Sequence, residues 1–390
     1  MYDKVRLLIF FFASSALLLG ADDAFKVERR KVDYSDGYTR KYIVELYPQQ
    51  GAHEVAFDQP LDFDTRTLRV HFTVEADPTD STWFLELRNP DGTPGWTSTE
   101  YDRRQGIFWS GEVEGGHPHL MLHILGSDRN VKLRIDQVAV TGIESKPQSI
   151  TTKYEDMVPV LSVPADIQEL GKAITRIRFI GDDGSRYVCT GFLVARDLLM
   201  TNEHCFSSSE EALSALIDFD FNTADTKCSV NAAGECKTIR VSKFLWSNFA
   251  LDYALAKLSS VPEGRAVVPL GPSSIHLGED LIVIEHPDGQ FKKVSLINCQ
   301  ISNKELVQGR GSDKNDFSHL CNTVGGSSGS AVWDRSSHQV IGIHHFGFTP
   351  GAVKASNQAV DMGAILDDIF VRDPNVYWSL SITNPKHPKQ

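Results

Sequence analysis

A serine set among glycines, a histidine after an apolar run and a carboxylate at the head of another are the residues whose types and spacing could do chemistry together. Ser328 stands in Gly325-Gly326-Ser327-Ser328-Gly329-Ser330 and runs on into Ala331-Val332-Trp333. A serine hydroxyl acts as a nucleophile from a tight turn, where Oγ faces the substrate and neighbouring backbone N–H groups point at the developing oxyanion. Glycines at 325, 326 and 329 permit such a turn and a close approach of substrate. A Gly/Ser-rich surface loop has the same composition over six residues, so the partners decide. His204 follows Leu198-Leu199-Met200-Thr201-Asn202-Glu203, and Asp252 heads Tyr253-Ala254-Leu255-Ala256-Lys257-Leu258, which reads as a buried strand. An acid there is costly unless it is hydrogen-bonded, and orienting an imidazole would satisfy it. The order His, Asp, Ser is one of those that nucleophilic triads reach convergently. Spacings of 48 and 76 residues suit two β-barrels that meet at a cleft.

The segments Met200 to Cys205, Asp252 to Leu258 and Gly325 to Val332 together resemble the active-site segments of chymotrypsin-fold (trypsin-like) serine peptidases. The resemblance covers roughly residues 165–375. Its Gly-x-Ser-Gly-Ser form is similar to the bacterial glutamyl-endopeptidase-like branch. Asn202 and Glu203 depart from the Ala-Ala pair usual before the histidine, a difference that bears on packing more than on proton transfer. The resemblance implies an all-β fold with two six-stranded antiparallel barrels and a reaction through an acyl-enzyme. Ser328 would attack a peptide carbonyl, while His204 takes the hydroxyl proton and returns it to the leaving amine. Asp252 would fix the histidine tautomer, and the N–H groups of Gly326 and Ser328 would form the oxyanion hole. No cofactor is required, and the implied partners are protein or peptide substrates.

In that branch a threonine five residues before the nucleophile and a histidine on the following strand receive the substrate carboxylate. Thr323 and His344 match those positions, with Phe346 and Gly347 beside them. The match implies an endopeptidase that cleaves after Glu, and more weakly Asp. Two alternatives stand beside it: a Lys/Arg preference with Asp361 reaching the pocket floor, and an inactive homologue acting as a binding protein. Ser327 occupies the place where peptidases activated by a new amino terminus carry an aspartate, so that trigger cannot operate in its usual form.

Six cysteines allow fifteen pairings. The resemblance points to Cys189 with Cys205; Cys228 with Cys236 would close a short polar loop, and Cys299 with Cys321 would tie the second barrel to the nucleophile loop. Metal ligation by these residues is the lesser reading in an exported chain. Export is expected because Lys4 and Arg6 precede an uncharged run from Leu7 to Leu19 and the small residues Gly20 and Ala21, the pattern of a signal peptide over 1–21. A secreted or periplasmic protein without a membrane span after signal removal follows. The net charge of −12 argues against nucleic acid as a partner.

Between the signal and the peptidase region, residues 22–143 read as a small β-sandwich preceding the barrels. Leu68, Val70, Phe72 and Val74 alternate with polar residues, as do Leu120, Leu122 and Ile124, and Val131, Leu133 and Ile135. This unit would be a pro-domain or a binding domain. His117, His119 and His123 lie in it and suggest a metal, but Leu120 and Leu122 mark the opposite, buried face, which leaves the histidines solvated and the metal prediction at none. Residues 144–165, broken by Pro147, Pro159 and Pro164, read as a linker with Glu144 and Glu155 as cleavable points; 166–375 form the peptidase domain and 376–390 a tail. Nothing in the sequence sets the oligomeric state.

Overall fold

The computed structural model describes residues 35–46, 53–56, 66–75, 83–115, 118–124, 131–141, 156–224, 238–271, 275–303, 305–307, 309–347, 356–383 and 385–387. The signal segment, His117, Glu144, Glu155, Cys228 and Cys236 lie outside them. Among the described residues no helix is long and apolar enough to cross a membrane.

Among the described residues the amino-terminal unit has nine strands: β1 (Ser35–Leu46), β2 (His53–Ala56), β3 (Thr67–Glu75), β4 (Trp83–Arg88), β5 (Pro94–Thr97), β6 (Ile107–Trp109), β7 (Val113–Glu114), β8 (His119–Ile124) and β9 (Lys132–Thr141). One sheet has the order β1-β9-β3-β6 with β7 on β3, and a second has β2-β8-β4-β5. Alternation is what makes the pair a sandwich. Leu68, Val70, Phe72, Leu133 and Ile135 from the first sheet pack against Trp83, Leu85, Leu87, Leu120 and Leu122 from the second. The short helix α1 (Glu100–Gln105) is held by a capping box between Thr99 and Asp102.

The first barrel follows. Its strands are β11 (Ile174–Ile180), β12 (Ser185–Ala195), β13 (Leu198–Thr201), β14 (Leu216–Asp218), β15 (Ile239–Asn248) and β16 (Tyr253–Leu258), preceded by β10 (Met157–Pro159). They pair in the order β11-β14-β15-β16-β13-β12, and β11 meets β12 to close the ring. Helix α3 (Ser209–Ser214) ends just before β14 begins. Ser208 caps that helix by accepting from Glu211 N–H, and Glu210 and Glu211 sit favourably in its first turn.

The second barrel is a seven-stranded sheet, ordered β10-β18-β17-β20-β21-β22-β19. Its own strands are β17 (Leu281–Glu285), β18 (Lys293–Ser295), β19 (Asp316–His319), β20 (Ala331–Asp334), β21 (Gln339–Phe346) and β22 (Asn357–Asp361). Beyond β18 the chain bridges Asp280 to Gln300 and Ile301 to His319, drawing the two ends of the sheet toward each other. The helices are α2 (Ala165–Gly171), α4 (Met362–Arg372) and α5 (Pro374–Ser379). The end of the chain packs on the barrels: Tyr377 is buried and Ile382 bridges to Leu270.

Two departures from the sequence reading bear on function. The sandwich is not a separate unit, because β1 pairs with β9 on one side and with β12 of the first barrel on the other, making one eleven-stranded sheet. Nor are the last residues of the expected linker irregular. Met157–Pro159 form β10 on β18, and Pro159 and Pro164 fall at element ends, where a missing N–H breaks nothing.

Candidate active site

Asp252 follows the β15 hairpin end, where the Asn248 side chain accepts from the N–H groups of Ala250 and Leu251. Its backbone is left-handed, with φ of 41°, in a region unfavourable for a residue bearing Cβ, and it is fully buried. Asn202 donates its side-chain N–H to the Asp252 carbonyl at 2.7 Å. The residue that departs from the usual Ala is therefore a clamp on the acid. His204 sits on the turn after β13, which the Cys189–Cys205 disulfide fastens to β12. Its Nδ1 lies 2.8 Å from Asp252 Oδ2 and 3.1 Å from Oδ1, and its backbone N–H donates to Oδ1 at 3.1 Å. This contact places the proton on Nδ1 and leaves Nε2 as an acceptor.

Ser328 is buried in a turn built by its neighbours: Ser327 N–H donates to Val324 O at 2.9 Å and Ser330 N–H to Ser327 O at 3.0 Å. Gly326 and Gly329 have φ of 87° and 85°. A Cβ at Gly329 would lie 2.2 Å from Thr190 O and 2.4 Å from Thr201 Oγ1. Thr190 N–H also donates to Ser328 O at 2.8 Å, so the loop is pressed between β12 and the end of β13, beside the turn that carries His204. The structure joins His204 to Asp252 directly; Ser328 Oγ makes no hydrogen bond to His204. The Cys299–Cys321 disulfide holds the strand leading into this loop.

Four residues that sequence reasoning did not select surround Asp252. His345 Nδ1 lies 3.1 Å from Asp252 Oδ2, and its Nε2 lies 2.6 Å from Asp316 Oδ2. Arg310 Nη1 donates to Asp252 Oδ1 at 2.6 Å and to Glu203 Oε2 at 2.9 Å, with its guanidinium over the Phe249 ring. Burial alone would raise the Asp252 carboxyl, but His204, His345 and Arg310 hold it well below the usual carboxylate range. Burial would likewise depress His345, yet Asp316 and Asp252 raise it to about 9, so it is an imidazolium at neutral pH. The His344-His345 doublet was a visible signal; Asp316 and Arg310, in a polar run without periodicity, gave none.

Among the pocket candidates, His344 is buried and its Nδ1 lies 3.2 Å from His319 Nε2. Burial pushes His344 well below its usual value and His319 to about 3, so both are neutral. One ring donates to the other across this contact. Thr323 is buried, the Phe346 ring is tilted against His345 with centroids 4.2 Å apart, and Gly347 follows the end of β21. Asp361 caps α4 by accepting from Ala364 N–H at 3.1 Å. One of its carboxylate oxygens is engaged there. His123 pairs with Glu86 at 2.8 Å, and the described residues hold no group of three or more His, Cys, Asp or Glu side chains able to bind a metal.

The closed first barrel, the second sheet curled beside it and the order of the pieces define a chymotrypsin-type serine peptidase fold. A family model described as a trypsin-like peptidase domain matches residues 189–343, the region that carries His204, Asp252 and Ser328. Over 198 residues the chain is 31% identical to secreted RxLR effector protein 73 of Plasmopara viticola, covering 48% of each. Over 179 residues it is 29% identical to the uncharacterized protein y4fB of Sinorhizobium fredii, covering 40% of this chain and 25% of that one. The chain thus spans about half or less of the curated relatives it matches. Among solved structures it is similar to the active form of the Rv3671c protease from M. tuberculosis, with a TM-score of 0.43 and 14% identity over 61% of this chain and 95% of that one. Deg5 gives 0.38 and 17% over 52% and 91%.

Proposed function

We propose that the protein is an exported serine endopeptidase that cleaves preferentially after glutamate and more weakly after aspartate. The observation that carries the peptidase reading is the hydrogen-bonded His204–Asp252 pair on the turn beside the Ser328 loop. In the reaction, Ser328 Oγ adds to the carbonyl and passes its proton to His204 Nε2. Asp252 stabilises the resulting imidazolium, and the N–H groups of Gly326 and Ser328 receive the oxyanion. Collapse gives the acyl-enzyme and the protonated amine; water then reverses the sequence.

Export is supported by the signal-like amino terminus, by two disulfides among the described residues and by the word "secreted" in the name of a relative. The acidic preference is supported by the match of Thr323 and His344 to the two carboxylate-receiving positions and by the buried, neutral His319–His344 pair, since an imidazole N–H can donate to a carboxylate oxygen. Paired peptide substrates with Glu or Lys before the cleaved bond test this reading. Wild type should prefer Glu by at least about tenfold, and His344→Ala should lose that preference more than it loses turnover. Preference for Lys, or a preference for Glu untouched by His344→Ala, would overturn it.

A further inference from the structure

The Asp252 carboxylate receives more positive charge than an acid needs merely to orient one imidazole. We propose that His345, braced by Asp316, and Arg310, braced by Glu203, are positioning residues that tune the basicity of His204 through Asp252 and so set the acidic edge of activity. The inference rests on the peptidase reading above.

The geometry is a buried chain of alternating charge. Asp316 Oδ2 and Asp252 Oδ2 hold the two ring nitrogens of His345, at 2.6 and 3.1 Å, and all three side chains are almost fully buried. Arg310, with 2% of its side chain exposed, bridges Asp252 Oδ1 and Glu203 Oε2. The bonds leave Asp252 little freedom to turn, so Oδ2 stays aimed at His204. The charges act as well. A lone carboxylate behind an imidazole favours imidazolium; two cations touching that carboxylate offset the effect and favour the neutral imidazole that accepts the serine proton. Asp316 and Glu203 oppose them: Asp316 lies one partner farther from His204, while Glu203, next to His204 in the chain, is shared with Arg310. The remaining titratable neighbours, His319 and His344, are neutral and add no charge.

The test uses the full chain as wild type, His345→Asn and Arg310→Met. The asparagine amide can still donate toward Asp252 without carrying charge, and the methionine fills the place of the arginine stem. In both, the acidic limb of kcat/KM should move up by about one pH unit. Activity should then fall about tenfold below the wild-type midpoint with KM little changed. In the Ser328→Ala background, NMR of the His204 ring should show its protonation moving by the same amount in both variants. Limbs and ring titrations that coincide with wild type in folded protein would overturn the inference. If wild type cleaves nothing, the peptidase reading falls and the NMR arm alone decides this one. If His345→Asn does not fold, Arg310→Met decides it.

Discussion

The environment of Asp252 makes its ionisation compulsory. Asp252→Asn should lower kcat roughly ten-thousand-fold while leaving the fold intact, because the amide reverses the tautomer of His204. The same buried charges make stability depend on pH from both sides. Asp252 is depressed despite burial, as is Asp218, which Arg178 and Arg176 hold down. Their contributions are present above the unfolded carboxylate value and vanish as pH falls through the lower folded values. His345, raised to about 9, contributes fully below the unfolded histidine value near 6.5 and loses that contribution as pH climbs to about 9. Glu285 is raised to about 8 by burial, so it too costs stability as pH rises from about 4.3 toward 8. Melting temperature should therefore peak at mildly acidic pH and fall on both sides of it, and Glu285→Gln should flatten the alkaline side. A variant whose alkaline slope equals wild type would contradict the assignment to Glu285.

Among the elements, the nucleophile loop depends most on its glycines. Gly329→Ala would place a methyl 2.2 Å from Thr190 O at a φ of 85°. It should destabilise by about 2–5 kcal/mol and abolish turnover, measurable by denaturant titration and amidase assay. The three segments that meet at the site were legible in the sequence because each is a short local pattern: an apolar strand end before His204, a buried strand after Asp252, a glycine turn around Ser328. The support around Asp252 was not legible. Arg310 and Asp316 come from a polar run without hydrophobic period, and Asp316 reaches His345 only once β19 and β21 flank β22. Strand β1, Ser-Asp-Gly-Tyr-Thr-Arg-Lys-Tyr-Ile-Val-Glu-Leu, was likewise obscured by its polar first half.

Across the whole molecule, β1 changes what cutting the linker can accomplish. Besides the shared sheet, Arg69 donates to Ser214 O at 2.7 Å, Arg240 to Trp109 O at 2.7 Å and Arg186 to Glu112 Oε1 at 2.6 Å, all from buried side chains. Removing the sandwich would leave charged groups buried or unpaired on the barrel and would expose the β12 edge. Nicking within 144–155 should therefore give two fragments that co-elute in gel filtration and retain activity, so we expect a two-chain enzyme in place of a released catalytic domain. Separation of the fragments under native conditions would contradict this account.

The central claim is that Ser328 is an activated nucleophile served by His204 and Asp252. Labelling with a fluorophosphonate, followed by peptide mapping of the modified residue, tests it most directly. Folded wild type should be modified at Ser328, His204→Ala should react far more slowly, and Ser328→Ala should not react at all. Folded wild type that resists the reagent, or that is modified equally in the Ser328→Ala protein, would contradict the claim.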